Sequence, residues 1–275
     1  MKLVLLLALL ASCATRTPVS DGIKGEGHRI SGIKAIKQKD YHCGPAALAV
    51  VLRNRNAEEL ARGLFHERLK GSFYSEIKGR AREEGMTVIE LDDLRNAFEE
   101  VRNDHPVIVL QNNGFRFLPQ WHFSVLTGFD PEGPDVYLAD GSGKIVRTDM
   151  RLFERSFILG GRRALVILPP GELSATANEL AHAEAATILE SIGKVPEAEL
   201  SFEAILQKWP ESFLGHVGLA NTSYALGKKM KSLQVLERAM EIYPDSKILR
   251  HNREYVEKAL LKTSSAPAKP RIRSY

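Results

Sequence analysis

The chain has 275 residues, 44% of them hydrophobic and 26% charged, with a formal net charge of +4. This is the composition of a globular protein, long enough for one domain of ordinary size and a smaller companion. Basic and acidic residues are interspersed and no basic stripe carries interleaved aromatics, which argues against nucleic acid as a partner.

The chain starts with a charged Lys2, a short apolar run and small residues up to Ser12, which is signal-peptide anatomy and too short to span a bilayer. Leu10-Ala11-Ser12-Cys13 resembles the bacterial lipobox. That resemblance implies a signal peptide over 1–13 ending at a lipidated Cys13. Ala14, standing where an aspartate would signal retention, points to the outer membrane of a bacterial cell envelope, with the protein facing the periplasm. Residues 14–32 are rich in Gly, Ser, Pro and charge without an apolar period, and read as a tether.

A first domain is expected over residues 33–170. Ala46 to Leu52 is apolar and helix-forming, and Pro45 suits a first helical turn, where its missing N–H costs nothing. Glu58 to Leu64, Tyr74 to Glu84 and Leu91 to Val101 read as further helices. The texture changes after Pro106: Val107 to Leu110, His122 to Thr127, Val136 to Ala139 and Ala164 to Leu168 read as short strands between turn residues. Helices followed by an antiparallel sheet indicate an α+β domain of two lobes.

Residues 174–262 are rich in Ala, Glu and Leu and carry an internal repeat. Gly193 aligns with Gly227, Pro210 with Pro244 and Ala198 with Ser232, each at an offset of 34 residues. This is the period of tetratricopeptide repeats, in which helix pairs stack, so the fold class is an α+β domain followed by an all-α helical repeat module. Two repeats need covering, by the first domain or by a capping helix near Ile248 to Leu261. The tail over 263–275, with two prolines and two arginines, reads as disordered.

Cys13 and Cys43 are the only cysteines. With Cys13 lipidated, Cys43 has no disulfide partner, and a lone thiol in an oxidising compartment invites a catalytic explanation. Cys43 opens an apolar helix, where unpaired N–H groups and the helix dipole favour the thiolate. A thiol nucleophile needs a base, and the base needs a third group to fix its tautomer. His122, opening a strand, and Asp140, ending the next, would be neighbours in an antiparallel hairpin. Gln38 stands five residues before the thiol and can donate to an oxyanion beside the Cys43 N–H. Gly44 is expected to let substrate approach the backbone, His42 to be a surface or cleft residue rather than the base, and Trp121 either to shield the imidazole from water or, as the simpler reading, to pack in the core. His28, His66 and His105 have no carboxylate or cysteine at metal-ligand spacing, and no cofactor is implied.

Gln38, Cys43-Gly44-Pro45-Ala46-Ala47-Leu48, His122-Phe123-Ser124-Val125-Leu126-Thr127-Gly128 and the strand ending at Asp140 together resemble the papain-fold peptidases that cut double-glycine leaders from bacteriocins, family thirty-nine of the cysteine class. The resemblance covers roughly Ile33 to Leu168. It implies a papain-like fold with Gln38 in the oxyanion hole, Cys43 as nucleophile, His122 as general base and acid, and Asp140 as orienting carboxylate. Exporter-linked members add membrane spans and an ATPase. Neither is present in this sequence, so ATP is not expected as a cofactor. Gly141 stands where the family commonly has Pro, which leaves the turn looser. Lipobox and repeats point to the stand-alone lipoprotein form.

The expected activity is thus hydrolysis of a peptide bond by a membrane-anchored thiol peptidase, with the repeats recruiting substrate or a protein partner. Two rivals are another acyl transfer or amidase activity on cell-wall peptides and a catalytically silent adaptor working through its repeats.

Overall fold

The computed structural model describes residue 23 and residues 25–264, except 54 and 69. Cys13, the expected signal peptide, most of the tether and the tail past 264 lie outside the described residues.

Cys43–Leu52 forms α1, and every residue from Gly44 to Val51 is buried. A helix apolar all round must be surrounded. Here α2 (Ala57–Ala61), α3 (Tyr74–Glu83) and the sheet enclose it. The sheet comprises β1 (His28–Arg29), β2 (Thr87–Leu91), β3 (Val107–Asn112), β4 (Trp121–Asp130), β5 (Asp135–Ala139), β6 (Ile145–Asp149) and β7 (Arg163–Leu168), with α4 (Leu94–Arg102) after β2 and α5 (Met150–Leu159) after β6. All pairings are antiparallel, in the order β2-β7-β3-β4-β5-β6, and β1 pairs with β4. The central strands carry apolar side chains on both faces. One face packs under α1 and α3, where Val125 meets the cluster of Leu48 and Ile77; the other packs under α4 and α5, where Phe129 joins Phe98 and Phe153.

The sheet therefore starts at His28, inside the expected tether, and Ile30 is buried in the core. Leu91, expected to start a helix, ends β2, and the helix begins at Leu94 behind Asp93, whose side chain accepts from the Arg95 N–H at 2.8 Å. β6 and α5 had no counterpart among the expected elements. β6 shows alternating partial burial as the edge strand beside β5, and Asp149 caps α5.

Helices α6 (Glu179–Ser191), α7 (Val195–Lys208), α8 (Phe213–Ala225), α9 (Lys229–Ile242) and α10 (Lys247–Ser264) form the C-terminal region. The second pair, α8 and α9, starts and ends 34 residues after the first. Both pairs turn at a glycine of positive φ, Gly193 (+83°) and Gly227 (+77°). Both turns close with the same hydrogen bond back into the helix, Lys194 N–H to Leu189 O and Lys228 N–H to Ser223 O.

Two of the contacts that fasten the helical region to the first domain use buried residues. Ala185 of α6 joins the core on the α4 side of the sheet. Glu100 of α4, fully buried, accepts from the Ser174 hydroxyl, from the Thr176 hydroxyl at 2.6 Å and N–H at 2.9 Å, and from the Ala175 N–H at 3.2 Å, with His105 Nδ1 at 2.8 Å. Burial alone would raise its pKa, but the bonds from His105, Ser174, Thr176 and Ala175 outweigh it and hold the carboxyl at about 2. A folded pKa below the unfolded one gives stability that is complete above the ordinary carboxylate range and is lost as pH falls toward 2. Glu100→Gln should cost about 2 kcal/mol at neutral pH. Thermal unfolding followed by circular dichroism should show the deficit near pH 7, shrinking below pH 4.

Candidate active site

The site forms where α1 abuts β4. The His42 side chain makes no capping bond to α1, the first helical bond of the turn is Ala46 N–H to His42 O, and Pro45 has no N–H. The N–H groups of Cys43 and Gly44 are thereby left to the Cys43 sulfur. β5 ends at Ala139 opposite Val125, so β4 from His122 to Ser124 lacks a strand partner on that edge. The Phe123 N–H, free of the ladder there, also turns to the sulfur. Cys43 thus faces the backbone one residue beyond His122.

Across the same gap Asp140 approaches the His122 ring. Burial lowers the His122 pKa, and the Asp140 main-chain carbonyl and carboxylate push it back up without overcoming the burial. The Asp140 carboxylate accepts from the Ser142 N–H at 2.9 Å, which holds it in a tight turn after β5. The nearby aspartates are placed elsewhere. Asp130 and Asp135 face each other at the far end of the β4–β5 hairpin, eight residues or about 26 Å along the strand from His122. There Asp130 accepts from the N–H groups of Glu132 and Gly133, and Asp135 pairs with Arg147.

Gln38 is stitched to the Asp140 turn. Its N–H donates to Gly141 O at 2.9 Å, and Lys37 bridges to Ser142. Its side-chain oxygen is buried without a partner and lies 2.2 Å from where a Cβ on Gly141 would stand. Gly141 has φ of +86°. The glycine was expected to loosen this turn relative to proline. Instead, positive φ and close contact with Gln38 make it the residue the packing requires. Gly44 has a packing role as well. A Cβ there would meet Ile77 at 2.8 Å and Ser72 at 2.9 Å, so the missing side chain also seats α1 against α3.

His42 stacks on Phe65 with ring centroids 4.1 Å apart and points Nδ1 at Asp40 O, 2.7 Å away. With Gln38, Glu58, Arg62 and Phe65 it lines an open groove of about 520 Å³ beside α1. Trp121, expected in the core, is 56% exposed. It stands at the start of β4, with the domain's apolar interior beginning two residues later at Phe123.

The expectation of an inexpensive thiolate needs revision. Burial raises the Cys43 pKa, and the N–H groups of Phe123, Gly44 and Cys43 only partly offset it. Burial thus pushes the Cys43 thiol up and the His122 imidazole down, and both shifts favour the uncharged forms. Alkylation of Cys43 by iodoacetamide should therefore keep rising with pH, with a midpoint above the ordinary thiol value of about 8.5. A plateau reached near pH 5 would instead mean a preformed thiolate–imidazolium pair.

Residues 30–164 match the family described as "Peptidase_C39 like family". The matched family is described as one of peptidases. The match begins at the first buried core residue, Ile30, and ends within β7. Among solved structures the chain is similar to a C39-like peptidase from Bacillus anthracis, at 16% identity over 55% of this chain and 100% of that one, with a TM-score of 0.45. It is also similar to a double glycine motif protease from the AMS/PCAT transporter in complex with the leader peptide, at 24% identity over 52% and 98% of the two chains, with a TM-score of 0.37. A third similar structure is the peptidase domain of Streptococcus ComA, a bi-functional ABC transporter involved in quorum sensing, at 24% identity over 50% and 98%, with a TM-score of 0.39. No protein of curated function matches the chain.

Proposed function

We propose that the peptidase domain hydrolyses a peptide bond through Cys43, His122 and Asp140, with Gln38 as oxyanion donor. One observation carries the reading: the Cys43 sulfur, at the uncapped start of α1, faces the β4 backbone beside His122, whose ring in turn meets Asp140. In the first step the Cys43 sulfur attacks the peptide carbonyl as its proton passes to His122, which avoids isolating a buried thiolate. The oxyanion is held by the Gln38 side-chain amide and the Cys43 N–H. His122 then protonates the leaving amine, and later takes a proton from the water that cleaves the thioester.

Outside the peptidase domain, the reading is a lipoprotein anchored through Cys13 at a bacterial membrane, outer rather than inner, facing the periplasm. The helical region would be a pair of tetratricopeptide-type repeats capped by α10, recruiting substrate or a protein partner. The 34-residue register of its helices supports that reading.

Incubation of the full chain with a peptide library, followed by mass spectrometry of the protein, tests the activity. The expected result is new N-termini in the peptides and a transient acyl adduct on Cys43. Incorporation of an added amine in preference to water would redirect the assignment to acyl transfer.

The link between Gln38 and Gly141 gives a more local prediction. Gly141→Ala forces a side chain into the space of the Gln38 amide at a positive φ. Turnover should fall about 100-fold, the size of a lost oxyanion donor, while Cys43 alkylation is unchanged.

A further inference from the structure

The β3–β4 connection, residues 113–120, holds large apolar side chains in solvent. Phe117 is 86% exposed, Leu118 63% and Phe115 57%, and Trp121 follows at the base. This is not a loose loop. Asn112 Oδ1 accepts from the N–H groups of Gly114 and Gln120, both at 2.9 Å, and Phe115 and Leu118 exchange backbone hydrogen bonds. A Cβ on Gly114 would stand 2.4 Å from Leu118 O, so the turn is drawn tight. The Phe115 and Phe117 rings lie nearly parallel, with centroids 5.4 Å apart. The loop therefore presents a fixed apolar tip.

The loop's own charge is of one sign. From 105 to 129 the sequence has no carboxylate, and its one Lys or Arg is Arg116, exposed between the two phenylalanines. Exposed Arg155 of α5 lines the same shallow depression as Phe115 and the exposed Leu152.

We propose that this hairpin tip inserts into the headgroup region of an anionic lipid bilayer. Two alternatives fit less well. Subsites for substrate side chains are concave, whereas these side chains stand out from the surface. A second copy of the chain would need about 800 Å² per partner, and four such side chains offer on the order of 500 Å². Rigid aromatic and leucine side chains with an arginine among them, and no carboxylate within the loop to repel headgroups, are the chemistry of an interfacial anchor that dips about 5–10 Å into the boundary. The contact is separate from any lipid on Cys13 and does not depend on the peptidase reading. Because Trp121 adjoins His122, about 3.3 Å along the strand, insertion would set the Cys43 side of the domain toward the membrane.

Trp121 reports the contact directly, since Trp209 is the only other tryptophan. The full chain carrying Trp209→Phe is mixed with vesicles of equal parts phosphatidylcholine and phosphatidylglycerol with brominated acyl chains. The expected result is a blue shift and at least twofold quenching of Trp121 emission, lost in Phe117→Ser/Leu118→Ser. Phe117→Ser alone, at the most exposed position, should lose most of it if the double variant misfolds. Trp121 emission unchanged by vesicles would overturn the proposal, whether or not the chain sediments with them through its N-terminus. It would be overturned equally if the double variant turned a dimer into a monomer, or cut hydrolysis of a soluble peptide tenfold without vesicles, because the tip would then be a self-interface or a substrate reader.

Discussion

Cys43→Ala should leave the fold intact and reduce peptide hydrolysis by at least about 10⁴-fold, to whatever the oxyanion donors and binding retain. The fold should survive because alanine is the best helix former, and losing one half-buried sulfur opens only a small void among Ala47, Leu48 and their neighbours. Cys43 is the only free cysteine among the described residues, so thiol labelling of this domain should vanish with it. The two readouts check each other. Lost labelling with undiminished turnover would remove Cys43 from the chemistry, and circular dichroism unchanged from wild type would rule out misfolding as the cause of lost turnover. Cys43→Ser would be a weaker test, because its hydroxyl could still accept from the Phe123 and Gly44 N–H groups that now face the sulfur.

What the sequence disclosed follows the range of the forces involved. α1 was legible because its residues are apolar without interruption and Pro45 marks its first turn. The hairpin bringing His122 near Asp140 was legible because the turn at 131–134 separates two apolar runs. The 34-residue spacing marked the paired helices because each pair repeats the same turn glycine. Features set by distant packing were hidden. Leu91 reads equally well as the end of a strand or the start of a helix, and only pairing with Ala164 of β7 decides it. β1 is two residues long and exists because the β4 edge beyond Leu126 has no β3 residue to pair with. The Gly44 contact with Ile77 crosses 33 residues of chain, and the Gln38 contact with Gly141 crosses more than a hundred. Glycine in a sequence announces conformational freedom; which neighbour needs the missing Cβ is a tertiary fact. The same holds for the thiol. A helix start argues for a low pKa, but the burial that opposes it depends on how α1 and β4 close over the sulfur.

His122→Ala separates the two ways a thiol can ionise. On the proposed mechanism the neutral imidazole is the base, so activity should be lost as His122 becomes protonated. Because burial lowers its pKa below the usual 6.5, the acid limb of kcat/KM should fall below pH 6.5. Removing the imidazole should cut kcat about 10³- to 10⁴-fold at neutral pH and erase that limb, leaving a residual rate that climbs with pH as the thiol ionises unaided. Cys43 should still be alkylated above pH 9, since the N–H groups of Phe123, Gly44 and Cys43 remain in place to receive the thiolate. A nucleophile intact toward a small electrophile yet unable to expel an amine is what loss of the general acid looks like. The same variant retaining wild-type turnover at pH 7 would mean that another group moves the proton. His42 is poorly placed for that role, with its ring stacked on Phe65 and Nδ1 engaged by Asp40 O.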